Sequence, residues 1–150
     1  MADDRLKTLL QDFCDTVGLY PVEVLRRRQL VVKGIDVVFT ELPEDEQHCY
    51  AAFQFGALAA GRSLKIFRLM LESNVLVYAK ELAVMGMDTD SGGVVLTLRI
   101  AYGETTTGSW LADNLAYFAE HAIYWKKNIM DCADERFNGI TSGTYTWIQA

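Results

Sequence analysis

Between Leu30 and Gly56 apolar residues recur at every second position: Ile35, Val37 and Phe39 alternate with Asp36, Val38 and Thr40, and Cys49, Ala51, Phe53 and Phe55 with Tyr50, Ala52 and Gln54. A period of two belongs to a strand that buries one face. Pro43-Glu44-Asp45-Glu46 between the runs is too short for the crossover helix that parallel strands need, so the runs pair as an antiparallel hairpin. Gly34 is a point at which the first run can break into two shorter strands.

The rest of the chain is read from the same change of period. Leu6, Leu9, Leu10, Phe13 and Val17 have helical spacing, with Gly18 as the stop. Tyr20-Pro21 reads as a turn, and Arg26-Arg27-Arg28 as a solvated rim in an acidic chain. Glu81 to Met87 and Val94 to Tyr102 flank Asp88-Thr89-Asp90-Ser91-Gly92-Gly93 as a second hairpin, with Val94, Leu96, Leu98, Ile100 and Tyr102 on one face. Leu111, Leu115, Phe118, Ala122, Trp125, Ile129 and Cys132 form the longest helical stripe, with Thr107 or Ser109 to cap it. The fold class is therefore α+β: an antiparallel twisted sheet of two hairpins with three helices, in the order α-β-β(-β)-α-β-β-α. Residues 1–135 are expected to form the domain, and 136–150, with Tyr145 and Trp147 but no period, a C-terminal tail that is a short strand or flexible.

The helix between the hairpins, Arg62 to Tyr78, has two apolar stripes. At about 100° per residue, Leu64, Phe67, Leu71, Val75 and Tyr78 fall on one side, and Ile66, Leu69, Met70, Ser73 and Val77 on another roughly 130° away. Such a helix needs two surfaces to pack on, and a small domain offers one sheet face. The second stripe then meets either another subunit, with Ile66, Leu69, Met70, Ser73 and Val77 as the dimer interface, or another helix of the same chain.

Composition narrows the function. A chain of 150 residues is one domain's length, and 51% hydrophobic residues suffice for a core. A net charge of -6 repels a polyanion, so no nucleic-acid partner is expected. No run approaches the ~18–20 apolar residues that span a bilayer, and Met1-Ala2-Asp3-Asp4-Arg5 lacks a signal peptide's basic start, so neither membrane insertion nor export is expected. Cys14, Cys49 and Cys132 form no C-x-x-C pair and suit a reducing cytosol without disulfides.

Chemistry-bearing patterns are sparse. Asp88 to Gly93 resembles the start of a calcium loop, but its twelfth position is Arg99 where a bidentate glutamate belongs, and its flanks are strands. His48 and His121 have no metal-ligand spacing, no serine sits in a G-x-S-x-G elbow, and Gly56 and Gly61 lack the third glycine of a dinucleotide loop. The carboxylates at Asp88/Asp90 and Glu44/Asp45/Glu46 fall in exposed turns. No cofactor, metal or catalytic residue is expected, and the chain reads as a binding protein.

Three stretches carry a family resemblance. Phe67-Arg68-Leu69-Met70-Leu71-Glu72-Ser73-Asn74 is similar to a leucine-rich helix ending in Glu-Ala-Asn; Leu82 to Asp88, leading to Gly93-Val94-Val95-Leu96-Thr97-Leu98, is similar to a second hairpin; and Leu111 to Trp125 is similar to a closing helix. In this order, across residues 4 to 130, they resemble the type III secretion chaperones that serve translocated effectors, the Tir chaperone family. Two places depart from that pattern: Ala57-Leu58-Ala59-Ala60-Gly61 stands where a proline-containing turn is common, and the aromatic tail after Arg136 is longer. The resemblance implies a non-enzymatic bacterial cytoplasmic homodimer, joined through the middle helix and second hairpin, that binds the extended N-terminal region of a secreted effector without ATP. Within the first hairpin, the mixed even face suits such cargo, with Val38, Leu42 and Tyr50 as effector-binding residues beside the rim of the first helix. The alternative is a small-molecule-binding or enzymatic α+β cone, for which His48 and Arg99 are the available ionisable groups.

Overall fold

Lys33 and Gly34 both have positive φ, 52° and 82°, the backbone of a two-residue turn whose twist matches that of paired strands. That turn divides the first alternating run in the computed structural model, which describes residues 2–57, 61–75, 83–88 and 92–130. In chain order the elements are α1 (Ala2–Val17), α2 (Pro21–Arg27), β1 (Gln29–Val32), β2 (Ile35–Leu42), β3 (Asp45–Ala57), α3 (Ser63–Ser73), β4 (Ala83–Met87), β5 (Gly93–Ala101) and α4 (Gly108–Trp125), with α4 continued by a π-helical turn, Lys126–Met130. The strands form one five-stranded antiparallel sheet in the order β1-β2-β3-β5-β4. The α+β class and both hairpins are as the alternation predicts.

The turn expected at Tyr20-Pro21 is replaced by a helix, so the described residues hold four α-helices where three are expected. Proline at the first helical position lacks only an N–H that would have no helical partner, and its φ is already helical. Glu23 lies in the first turn and Arg26 and Arg27 in the last, each arginine bonded back to Glu23 at 2.7 and 3.0 Å. The arginine run is thus a helix end holding its own counter-charge.

Two compact units divide the chain, one running through Phe53 and resuming over Arg99–Glu120, the other comprising Gln54–Leu98 and the residues from His121. In the first, Ile35, Val37, Phe39, Ala51 and Phe53 are buried on the odd face of β2 and β3, where the Phe53 ring meets Phe118 of α4 at 6.1 Å. Leu6, Leu9, Leu10, Phe13 and Cys14 form the buried stripe of α1. The start of α4 lies against α1 so closely that a Cβ at Gly108 would stand 2.4 Å from Asp12 backbone atoms, and the Gly108 N–H donates to Asp12 Oδ2 at 2.6 Å. Of the two expected caps, Thr107 is used: its Oγ1 accepts from the Trp110 N–H at 3.1 Å. Cys14 and Cys49 are free and buried, and burial pushes the Cys49 thiol up to about 11.

In the second unit the rings of Phe55 and Trp125 stack at 6.2 Å, and Ile66, Leu69, Met70 and Ser73 are the buried side of α3. Ser73 Oγ donates to the Leu69 carbonyl at 2.8 Å, which lets a polar residue sit in that stripe. Arg62 is buried and donates to the carbonyls of Ile129 and Met130 at 3.1 and 3.3 Å, a cation at a helix C-terminus. Val94, Leu96 and Leu98 are the buried face of β5, and Asp88 and Gly93 close the end of the second hairpin with an N–H to carbonyl bond of 2.8 Å. Val77, Cys132, the middle of the Asp88 to Gly93 loop and the 136–150 tail lie outside the described residues.

Candidate functional site

Among the described residues, each unit has a surface that presents apolar side chains to solvent. In the first unit it is the even face of β2 and β3. Val38 pairs with Ala52 and Thr40 with Tyr50, so these residues share one side of the sheet; Val38, Tyr50 and Ala52 are half-buried, and Asp36 and Thr40 exposed. Leu42 stands opposite Asp45, past a register irregularity between Thr40 and Leu42, and is 41% exposed. The structure thus brings Val38 and Tyr50 together and places Leu42 at the hairpin's end.

The irregularity has a chemical consequence that alternation does not show. It turns Asp45 into a polar cluster, with Tyr50 donating its hydroxyl to Asp45 Oδ2 at 2.5 Å, His48 Nδ1 at 2.7 Å from Oδ1 and Arg99 Nη2 at 3.3 Å from Oδ2. Hydrogen bonding, first from Tyr50 and then from His48, holds the Asp45 carboxyl down at about 2. The sequence places Asp45 in an exposed turn; in the structure it opens β3, and its side chain is 17% exposed. His48 and Arg99, the ionisable pair of the small-molecule alternative, do come together, with Arg99 Nη2 3.3 Å from His48 Nδ1, but as partners of Asp45 on the open side of the sheet. The short Nδ1 to Asp45 distance assigns the Nδ1 proton to that bond. The signal for this cluster was the identity of four polar residues, Asp45, His48, Tyr50 and Arg99, whose proximity depends on strand register.

Beside the exposed rim of α1 the same unit has a groove of about 1140 Å³, lined by Arg5, Lys7, Gln47, Tyr102 and Glu104 among others. Arg5 lies over the Tyr102 ring, 5.8 Å from its centre, and donates to Gln47 Oε1 at 3.2 Å. On the inner side of this rim the Tyr102 hydroxyl donates to Glu41 Oε2 at 2.8 Å, and burial with that bond drives the phenol far above its usual range.

In the second unit the open surface is on α3, and here the assignment of stripes is corrected. Ile66, Leu69, Met70 and Ser73, expected at a dimer interface, are 0%, 5%, 5% and 1% exposed within the single chain. Of the other stripe, Leu64 is 83%, Leu71 68% and Val75 78% exposed and Phe67 is half-buried, while Tyr78 lies outside the described residues. The physical reason lies in the small polar Ser73, which bonds its own helix and packs inside, while Lys65, Arg68 and Glu72 flank the outer stripe, with Arg68 Nε 3.2 Å from Glu72. One apolar stripe of this helix is thus buried within the chain and the other faces solvent.

Among the described residues no group of three potential ligands gathers to hold a metal, and no helix is long and apolar enough to cross a membrane.

Comparison with known proteins agrees with this geometry. The sequence model of the Tir chaperone protein (CesT) family matches residues 8–126. The chain is similar in fold to a chain of the crystal structure of the ExsC-ExsE complex, with a TM-score of 0.68 and 21% identity over 88% of this chain and 98% of that one. It is likewise similar to a chain of the HopA1-SchA chaperone-effector complex, with a TM-score of 0.63 and 15% identity over 84% of this chain and 96% of that one. No curated protein sequence matches it.

Proposed function

Since the chain belongs to the Tir chaperone protein (CesT) family, matched over residues 8–126, we propose that it is a non-enzymatic chaperone of the bacterial cytoplasm that binds the extended N-terminal region of a secreted effector and keeps it soluble for type III secretion. The observation that carries the reading is the division of the β2–β3 hairpin. Its odd face is fully occupied by the chain's own core, while the even face offers half-buried Val38, Tyr50 and Ala52 with exposed Leu42 at the end. Shallow apolar spots on a sheet suit an extended peptide, whose alternate side chains fill them while its main chain pairs along an edge. The Asp45 cluster fixes the Tyr50 ring as one wall of that surface. A small-molecule site built on His48 and Arg99 is less well supported, because both groups are engaged with Asp45 on the open sheet face.

The working species is a homodimer, assembled through the exposed α3 stripe of Leu64, Leu71 and Val75 together with the second hairpin, where Val84 is 51% exposed. Three large aliphatic side chains at 68–83% exposure on one helix face are more than isolated surface hydrophobes.

Titration of the cognate effector's N-terminal peptide against Val38→Asp and Leu42→Asp, with circular dichroism to verify folding, tests the cargo surface. Each substitution is expected to weaken binding by roughly 1.5–3 kcal/mol, the value of one buried aliphatic contact. Affinity should change little between low and high salt, because apolar burial is barely screened. Parent-like binding by both folded variants, or loss of parent binding in moderate salt, rejects this surface.

A further inference from the structure

Asn74 follows the last residue of α3, and its half-buried side chain reaches β4. Its Oδ1 accepts a hydrogen bond from the Met85 main-chain N–H at 2.6 Å, and its Nδ2 donates to the Met85 carbonyl at 3.2 Å. One amide thereby satisfies both main-chain polar groups of a strand residue, with the donor and acceptor that an added antiparallel strand would present.

The register tells which side of β4 is engaged. The Asp88 N–H donates to the Gly93 carbonyl at 2.8 Å, which marks this position as a hydrogen-bonded pair. Such pairs alternate along an antiparallel ladder, so Gly86 with Val95 and Val84 with Thr97 are the next two. Ala83, Met85 and Met87 therefore turn their main-chain groups away from β5. Strand β4 is last in the sheet order, so that side is the sheet's outer edge, and Asn74 occupies the middle one of its three outward-facing residues.

An unpaired edge is a template for strand addition unless charge, proline, a bulge or a covering group interrupts it. The sequence of β4, Ala-Val-Met-Gly-Met, contains neither charge nor proline, and Val84 and Met87 are 51% and 43% exposed. The strand's own side chains do nothing to discourage pairing with an identical strand. Asparagine suits the covering role: aspartate has no N–H to give the Met85 carbonyl, serine has a single hydroxyl, and alanine has neither donor nor acceptor.

We propose that Asn74 is an edge plug, closing the outer edge of β4 to strand addition by a second copy of this chain. A second copy then meets side chains of the α3 stripe and not the sheet edge; this last step rests on the homodimer reading above, whereas closure of the edge does not.

The test is amide hydrogen exchange by NMR on the full chain, combined with light scattering over a range of concentrations. In the parent the Met85 amide should be protected together with those of Val84 and Gly86. In Asn74→Ala the Met85 amide should exchange on the order of tenfold faster while Val84 and Gly86 keep their rates, and assemblies larger than the parent's should grow with concentration. Asn74→Asp, which keeps the acceptor and adds a charge at the edge, should retain Met85 protection and the parent's assembly state. Fast exchange of Met85 in the parent overturns the proposal without any variant, even if Asn74→Ala does not fold. So does a folded Asn74→Ala with unchanged Met85 exchange or unchanged assembly. Leu71→Glu separates the two readings: a monomeric Leu71→Glu that keeps Met85 protected supports both, and a parent that is itself monomeric removes the homodimer while the exchange result still decides the plug.

Discussion

The β2–β3 hairpin and helix α3 each have an inner and an outer face, but their outer faces differ in kind. On the hairpin the outer side alternates Val38, Tyr50 and Ala52 with Asp36, Thr40 and Gln54, and the Asp45 carboxylate near its end is held by Tyr50, His48 and Arg99. On α3 the outer side carries Leu64 and Leu71, with Val75 just past the helix end, all more than two-thirds exposed. A mixed face is stable in water when empty and suits a partner that comes and goes. A continuous aliphatic stripe resembles half of a core and suits lasting association. The two faces thus differ in the composition that the chain leaves outside, mixed on the hairpin and aliphatic on α3.

The largest effects should come from the inner faces. Phe53→Ala removes a fully buried ring that meets Phe118 and is expected to cost about 3–5 kcal/mol in denaturant unfolding, whereas Gln54→Ala on the outer face should stay within about 0.5 kcal/mol. Equal effects would erase the distinction between the hairpin's faces.

On α3 the contrast should run against the interface assigned from spacing alone. Ile66→Ala is expected to lose about 2–5 kcal/mol of stability as a core truncation, while Leu64→Ala, measured at low concentration, should change it by no more than about 0.5 kcal/mol. If the proposed homodimer forms through this stripe, Leu71→Glu should lower the mass seen by light scattering without lowering the melting temperature of the dissociated chain, because the charge would be buried only in that dimer. If Ile66→Ala is the silent variant and Leu64→Ala the damaging one, the stripes have been exchanged wrongly.

The smallest effect belongs to the outer hairpin face. Asp45 is held at about 2 in the folded chain against an ordinary 3.8, so its contribution to stability is complete above pH 3.8 and is lost as pH falls through about 2. Asp45→Asn should lower stability above pH 3.8 and flatten the acid limb over that window, so that variant and parent converge below about pH 2. An acid limb identical in the variant means that the cluster does not hold its carboxylate.

Much of this fold is legible in the chain because strand parity is binary. Once Val37, Phe39, Phe53 and Phe55 fall on one face, every neighbour's side is settled, and Gly34 is the point at which the first run can break, which the structure realises as the Lys33-Gly34 turn. The short helix α2 was legible too, in Pro21 followed by Glu23 and then Arg26 and Arg27, but seven residues give too few turns for periodicity to reveal it. Asn74 was visible as the end of a family-like motif, with nothing nearby in the sequence to show that its amide would meet Met85, eleven positions on.

By itself the sequence determined the two hairpins, the buried face of the first and the long stripe of α4, and narrowed its cap to Thr107 or Ser109, because each depends on spacing or chemistry within a few residues. Tertiary structure alone decided which stripe of α3 is inside, that Asp45 joins His48, Tyr50 and Arg99, and that Asn74 covers the edge of β4. Two apolar stripes of similar strength are degenerate in an isolated helix. Only the surface it packs on breaks that degeneracy, and strand register, which brings residues such as Asp45 and Arg99 together, is a property of pairs of segments that neither segment contains.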